Sequence, residues 1–144
     1  HPFEGKANEI QFPTLTKRYT SRGYETELFL VRYRVESNRI VREEERIREK
    51  AGGGEEKRKW VVLDRIKGGE FSFPFKDAET EGVIWRDVWT PEEKLGRPAG
   101  VRLRMQLVGS EEKGSIHVGG PQKKAPPVFF DQVFSLPQGN WGEL

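Results

Sequence analysis

The sequence contains no cysteine, which excludes disulfides, cysteine-based zinc sites and thiol nucleophiles. Histidine is nearly as scarce, at His1 and His117 only. His117 lies in the run Ser115-Ile116-His117-Val118, where no local motif supplies the nucleophile and orienting carboxylate that a general base needs. It reads as a residue of a strand at the solvent edge. Neither a G-x-S-x-G nor an H-E-x-x-H pattern occurs, so these routes to hydrolysis have no signature here. No run of about 18 apolar residues is present, and the opening residues hold no basic n-region followed by an apolar h-region, so the residues given predict neither a spanning helix nor a signal peptide. An excess of one charge is missing too: 25 Lys and Arg stand against 23 Asp and Glu. Both signs mix within single segments, as in Arg42-Glu43-Glu44-Glu45-Arg46, whereas nucleic-acid binders usually carry a one-signed basic face. Nucleic acid is therefore not an expected partner.

What the sequence does contain is alternation. With 144 residues it fits one domain, 1–144, able to bury about two-thirds of its unfolded surface without a metal or disulfide. Phe29, Val31, Tyr33 and Val35 alternate with Leu30, Arg32 and Arg34, and Val101, Leu103, Met105 and Leu107 alternate with Arg102, Arg104 and Gln106. Period two is the mark of a half-buried strand. Phe71, Phe73 and Phe75 repeat the pattern, with Pro74 marking an edge strand or a strand end because it cannot donate to a ladder. Further strands are expected over Glu9–Leu15, Asn38–Glu43, Lys59–Ile66, Gly82–Trp89 and Val128–Leu136, with a hairpin turn at Ser37-Asn38. The spacing predicts antiparallel sheets, a mainly β fold. Residues 43–58 read as a charged, glycine-rich loop, with room for a short helix over Glu44–Lys50, residues 119–127 as a second loop and 138–144 as a loose tail.

The remaining chemical signals are best read as structural. Gly52, Gly53 and Gly54 lead into Glu55 and Glu56, which repel an anion, so this is no phosphate cradle. Glu43, Glu44, Glu45 and Glu49 lack the interleaved Asp, Asn and Gly of a calcium loop and have Lys or Arg beside them. Asp77, Glu79, Glu81 and Asp87 flank Trp85 and Trp89, a pattern that a carbohydrate-binding or hydrolytic domain shares, but aromatic residues on strands more often fill a core. Arg32-Tyr33-Arg34 invites an RNA reading, yet alternation puts the arginines and the aromatic ring on opposite sheet faces. No catalytic, cofactor-binding or metal residue is singled out, and no cofactor or small-molecule substrate is expected. Tyr24, Trp60, Trp85, Trp89 and Trp141 remain undivided between core and interface.

Read in order, several segments form a recognisable series. Phe3-Glu4-Gly5 precedes Ile10-Gln11-Phe12; Val31-Arg32-Tyr33-Arg34-Val35 is followed by Ile40-Val41-Arg42; then come Val62-Leu63-Asp64-Arg65-Ile66 and Phe71-Ser72-Phe73-Pro74-Phe75-Lys76-Asp77. Trp85 and Trp89 follow, and Leu95-Gly96-Arg97-Pro98-Ala99-Gly100-Val101-Arg102-Leu103 opens the next strand. This order, from Phe3 to about Leu107, resembles the J-type minor pseudopilins of type II secretion systems and, more broadly, prepilin-type proteins. The resemblance implies a pilin-like α+β fold whose long N-terminal helix, absent from these residues, anchors the protein in the inner membrane of a Gram-negative bacterium. It implies a periplasmic head that binds the I-type and K-type minor pseudopilins at the tip of the pseudopilus, without bond-making of its own. A chain opening at His1-Pro2-Phe3 without Met is what removal of such a helix would leave, with an apolar strip exposed where it lay. A minor pilin of a type IV pilus is the neighbouring alternative, and the carbohydrate domain the distant one.

Overall fold

A computed structural model describes residues 2–47, 57–91, 97–108 and 127–136. They form ten strands: β1 (Glu4–Lys6), β2 (Glu9–Thr20), β3 (Gly23–Glu36), β4 (Arg39–Arg46), β5 (Lys57–Leu63), β6 (Ile66–Lys76), β7 (Val83–Arg86), β8 (Val88–Trp89), β9 (Gly100–Leu107) and β10 (Val128–Ser135). A six-stranded sheet runs β5-β4-β3-β2-β1-β8 and a four-stranded sheet β10-β9-β6-β7, with every pairing antiparallel. The mainly β, antiparallel architecture expected from the alternation is therefore the observed one. The sheets are tied at the β1–β2 turn, where Ala7 O accepts from Phe71 N (2.6 Å), and at the β3–β4 turn, where Asn38 O accepts from Ile66 N (2.9 Å).

The core lies between the sheets. Phe3, Ile10 and Trp89 meet Phe71, Phe73, Phe75 and Val101, with Phe12, Tyr33, Val35 and Leu103 packed around them. Alternation explains the supply: every second residue of β6 and β9 points inward, so the three phenylalanines of β6 enter side by side. Phe73 is wholly buried, edge-on to Phe3 at 5.9 Å and tilted against Trp89 at 6.4 Å. Gly5 is required by this packing, since a Cβ there would sit 2.1 Å from Phe73 Cζ.

Several boundaries differ from the pattern reading. The charged run assigned to a loop over 43–58 is strand at both ends, with Glu43–Arg46 in β4 and Lys57–Arg58 in β5. Cross-strand complementarity is the reason: Glu43 faces Arg32 on one side and Lys59 on the other, Glu44 faces Arg58, and Glu45 faces Lys57. The same pairing removes the short helix from Glu44–Arg46, while residues 48–56, including Glu49 and the triple glycine, lie outside the described residues. β2 and β3 run on to Thr20 and back from Gly23, because each polar residue in this stretch has a ladder partner although it lacks apolar alternation.

The single strand expected over Lys59–Ile66 breaks at Asp64-Arg65, where Arg65 takes a left-handed φ of 56° and turns the chain from one sheet to the other. Gly82–Trp89 likewise divides at Asp87: β7 belongs to the four-stranded sheet and β8 to the six-stranded one. Pro74 sits where β6 has left β9, whose ladder ends at Ser72, and faces only Trp85 of β7. β6 is thus an interior strand, and the proline is tolerated because one side has no ladder there. Ser37-Asn38 forms the expected turn, with Ser37 at φ 38°. His117, residues 119–127 except Pro127, and the tail 138–144 with Trp141 fall outside the described residues.

Candidate functional site

Two surfaces gather chemistry-bearing side chains. The first is the outer face of the four-stranded sheet. Register sets Ser72 opposite Arg102, Glu70 opposite Arg104, Arg104 opposite Asp131 and Pro74 opposite Trp85, so these side chains share one face. Arg102 donates from Nε and Nη2 to the two carboxylate oxygens of Asp131, at 2.7 and 2.6 Å. Its guanidinium also lies 5.4 Å from the centre of the Trp85 ring. Arg104 bridges Glu70 and Asp131, each at 3.5 Å. Arg102 is held above the ordinary guanidinium value by its hydrogen bonds to Asp131, and the same contact holds Asp131 below the ordinary carboxylate value. A hollow of about 480 Å³ opens here, lined by Ser72, Trp85, Asp87 and Arg102 among others.

The acids and tryptophans singled out in the sequence do not converge. Trp89 enters the core at 5% exposure, while Trp85 stays on the outer face beneath Arg102. Asp87 reaches the hollow, but Asp77, Glu79 and Glu81 belong to the β6–β7 turn or its margins. Asp77 organises that turn, accepting from Thr80 Oγ1 at 2.7 Å and from Glu79 N at 3.0 Å, and these bonds hold its carboxyl below the ordinary value. A glycosidase acid needs the opposite, a carboxyl kept protonated by burial near a second one. The arrangement can orient a surface through fixed charges and an aromatic plane.

The second surface is the outer face of the six-stranded sheet. Arg34 donates to Glu9 at 2.8 Å, Arg32 donates to Gln11 at 3.0 Å and pairs with Glu43 at 3.3 Å, and Lys59 links Glu36 at 3.0 Å to Glu43 at 3.3 Å. Tyr33, between the two arginines in sequence, points to the core and stacks with Phe12. The face separation read from Arg32-Tyr33-Arg34 is therefore the observed one. Acidic side chains on β4 also separate by face: Glu43 and Glu45 meet Lys59 and Lys57, while Glu44 pairs with Arg42 on the other side. Among the described residues no group of three or more His, Asp or Glu side chains is placed to hold a metal ion. No helix among them is long and apolar enough to cross a membrane.

These ion pairs make stability depend on pH. Hydrogen bonds from Lys59 and Arg39 hold Glu36 below the ordinary carboxylate value. Burial pushes Glu43 up, but Lys59, Arg34 and Arg32 together outweigh it and leave the group lowered. Lys59 is raised by Glu36 and Glu43. A carboxyl lowered by folding contributes stability above its unfolded value and loses it as pH falls through the folded one; a raised lysine contributes below its unfolded value and loses it as pH rises through the folded one. Stability is thus expected to fall as pH drops below 4.5 and as it climbs above 10.5. Urea midpoints measured across pH check this, and a Glu36→Gln/Glu43→Gln variant should show a shallower acid limb. An acid limb identical to the parent's would refute the role given to the network.

Trp60 (41%), Trp85 (37%) and Tyr24 (76%) are on the outside, with Tyr24 edge-on to Tyr19 at 5.1 Å beside the β2–β3 turn. Sequence reasoning missed one feature, the exposure of β10, where Phe129 is 73% and Phe134 48% exposed. A strand is expected over Val128–Leu136, but a strand's own residues do not say whether another sheet covers it. The described residues thus define a two-sheet antiparallel β domain with charged sheet faces and an open apolar strand. No family model matches the chain, and no curated protein matches it in sequence.

Proposed function

We propose that the chain is the head of a J-type minor pseudopilin, a non-enzymatic subunit at the tip of a type II secretion pseudopilus. The observation that supports this reading is the meeting in one core of the segments whose order carries the resemblance. Phe3 of the F-x-G entry, Ile10, Phe71 to Phe75, Trp89 and Val101 form one buried cluster, and Gly5 is fitted to the Phe73 ring. Tyr33 and Val35 of the V-x-Y-x-V strand pack against it. Segments that stand far apart in the sequence thus serve one packing purpose, as the segments of a single signature should.

In this role the head binds the I-type and K-type minor pseudopilins through sheet surfaces and apolar anchors, and an N-terminal helix in the inner membrane belongs to the whole protein. Exposed Leu15 and Leu28, which face each other across β2 and β3, offer apolar area for such packing. The reading predicts an apolar stretch of about 20 residues encoded upstream of His1. The direct test is co-purification of the chain with I-type and K-type heads from the same genome. A ternary complex stable in gel filtration is expected, and no association at low or high salt would overturn the proposal.

A further inference from the structure

The ends of the two sheets are unequally protected. A sheet edge exposes unpaired N–H and C=O groups, which proteins guard with short strands or with lysine and arginine. β8 has two residues and β7 four. β5 opens with Lys57-Arg58-Lys59. β10 has neither safeguard: Val-Phe-Phe-Asp-Gln-Val-Phe-Ser contains no Lys, Arg, Pro or Gly across its eight residues. Its one charge, the carboxylate of Asp131, is ion-paired along the sheet with Arg102 and Arg104 of the neighbouring strand. Among the described strands it pairs on one side only, with β9, and Phe129, Val133 and Phe134 are 73, 47 and 48% exposed.

We propose that β10 pairs antiparallel with β10 of a second copy of this chain, across a two-fold axis perpendicular to the sheet, joining the two four-stranded sheets into one. The symmetry restricts the register. Residues facing each other must point to the same side, so an odd-numbered residue meets an odd-numbered one and an even-numbered residue an even-numbered one. Centring on Asp131 would set two carboxylates directly opposite, which is unfavourable. Centring on Val133 would set Phe134 against Gln132 and leave Phe129 unpaired. Centring on Gln132 pairs residues 129–135 with one another: Phe130 faces Phe134 of the second copy, Phe129 faces Ser135, and Asp131 faces Val133, each contact made twice. Two aromatic pairs then flank the axis, and the like charges stay apart. This self-complementarity selects a second copy as the occupant, and it is independent of the tip-subunit reading.

The register gives a charge test. In Val133→Asp, each new carboxylate faces Asp131 of the opposite copy, making two like-charge pairs per dimer, and dimer dissociation is expected to become about tenfold easier. Val133→Lys places an ammonium there instead and should keep the dimer. Sedimentation of the full chain over the micromolar range reads both. Because the chain has no cysteine, Gln132→Cys adds a single thiol at the axis; facing antiparallel residues lie within disulfide reach, so mild oxidation should give a covalent dimer. Should Val133→Asp lower the unfolding midpoint, the Gln132→Cys crosslink alone decides. A chain that is monomeric throughout, a dimer indifferent to Val133→Asp in a folded variant, or a dimer that Gln132→Cys fails to crosslink would each overturn the proposal. So would capture of a different protein's strand on β10 by a chain that does not self-associate.

Discussion

Phe73→Ala is expected to cost about 3–5 kcal/mol of folding stability. The ring is wholly buried and touches both sheets, with Phe3 edge-on from the β1 side and Trp89 tilted from β8. Its removal withdraws the transfer free energy of a phenyl group and leaves a cavity that the paired strands around it cannot close. β6 is held by β9 up to Ser72 and by β7 from Phe73 onward, so its backbone has little freedom to move inward. Against a total stability of about 5–15 kcal/mol for a domain, such a loss displaces the urea midpoint far enough to be read directly. A midpoint shift near that of an exposed substitution would show that Phe73 does not hold the sheets together.

Gly5→Ala is the complementary experiment, with an expected cost of about 3 kcal/mol from overpacking. The added Cβ would lie 2.1 Å from Phe73 Cζ and 2.6 and 2.7 Å from its Cε atoms, closer than any real contact, and the ring has buried neighbours behind it. The two substitutions should not add. Once Phe73 is alanine the space beside Gly5 is empty, and the second change should cost less than about 1 kcal/mol in that background. Additive midpoints in the double-mutant cycle would mean that Gly5 is required for another reason. The cycle also tests the structural premise of the proposed family assignment, because it couples the F-x-G entry to the phenylalanine strand.

Much of this architecture was legible because a strand half-buried against a core must alternate. The β3, β6 and β9 patterns located Tyr33, Phe71, Phe73, Phe75 and Val101 on one side of their strands, and those residues do meet the core. The charged run at Glu43–Arg46 was misread as loop because its partners, Arg32 and Arg58 to Lys59, are distant in sequence, and only the ladder brings them opposite. Trp85 and Trp89 are four residues apart and chemically alike, yet Asp87 carries the chain from one sheet to the other between them. One indole therefore lies under Arg102 and the other in the core.

What the sequence by itself determined is local: the period-two faces, the antiparallel class, the turn at Ser37-Asn38, and the absence of thiols. A side chain's face follows from its own backbone, so local pattern suffices for that. Which sheet a strand joins, which charges neutralise one another, which tryptophan is buried and which edge is left open were decided only by the tertiary structure. Each depends on residues brought together across long stretches of chain, and hydrogen-bond ladders and close packing make that choice jointly.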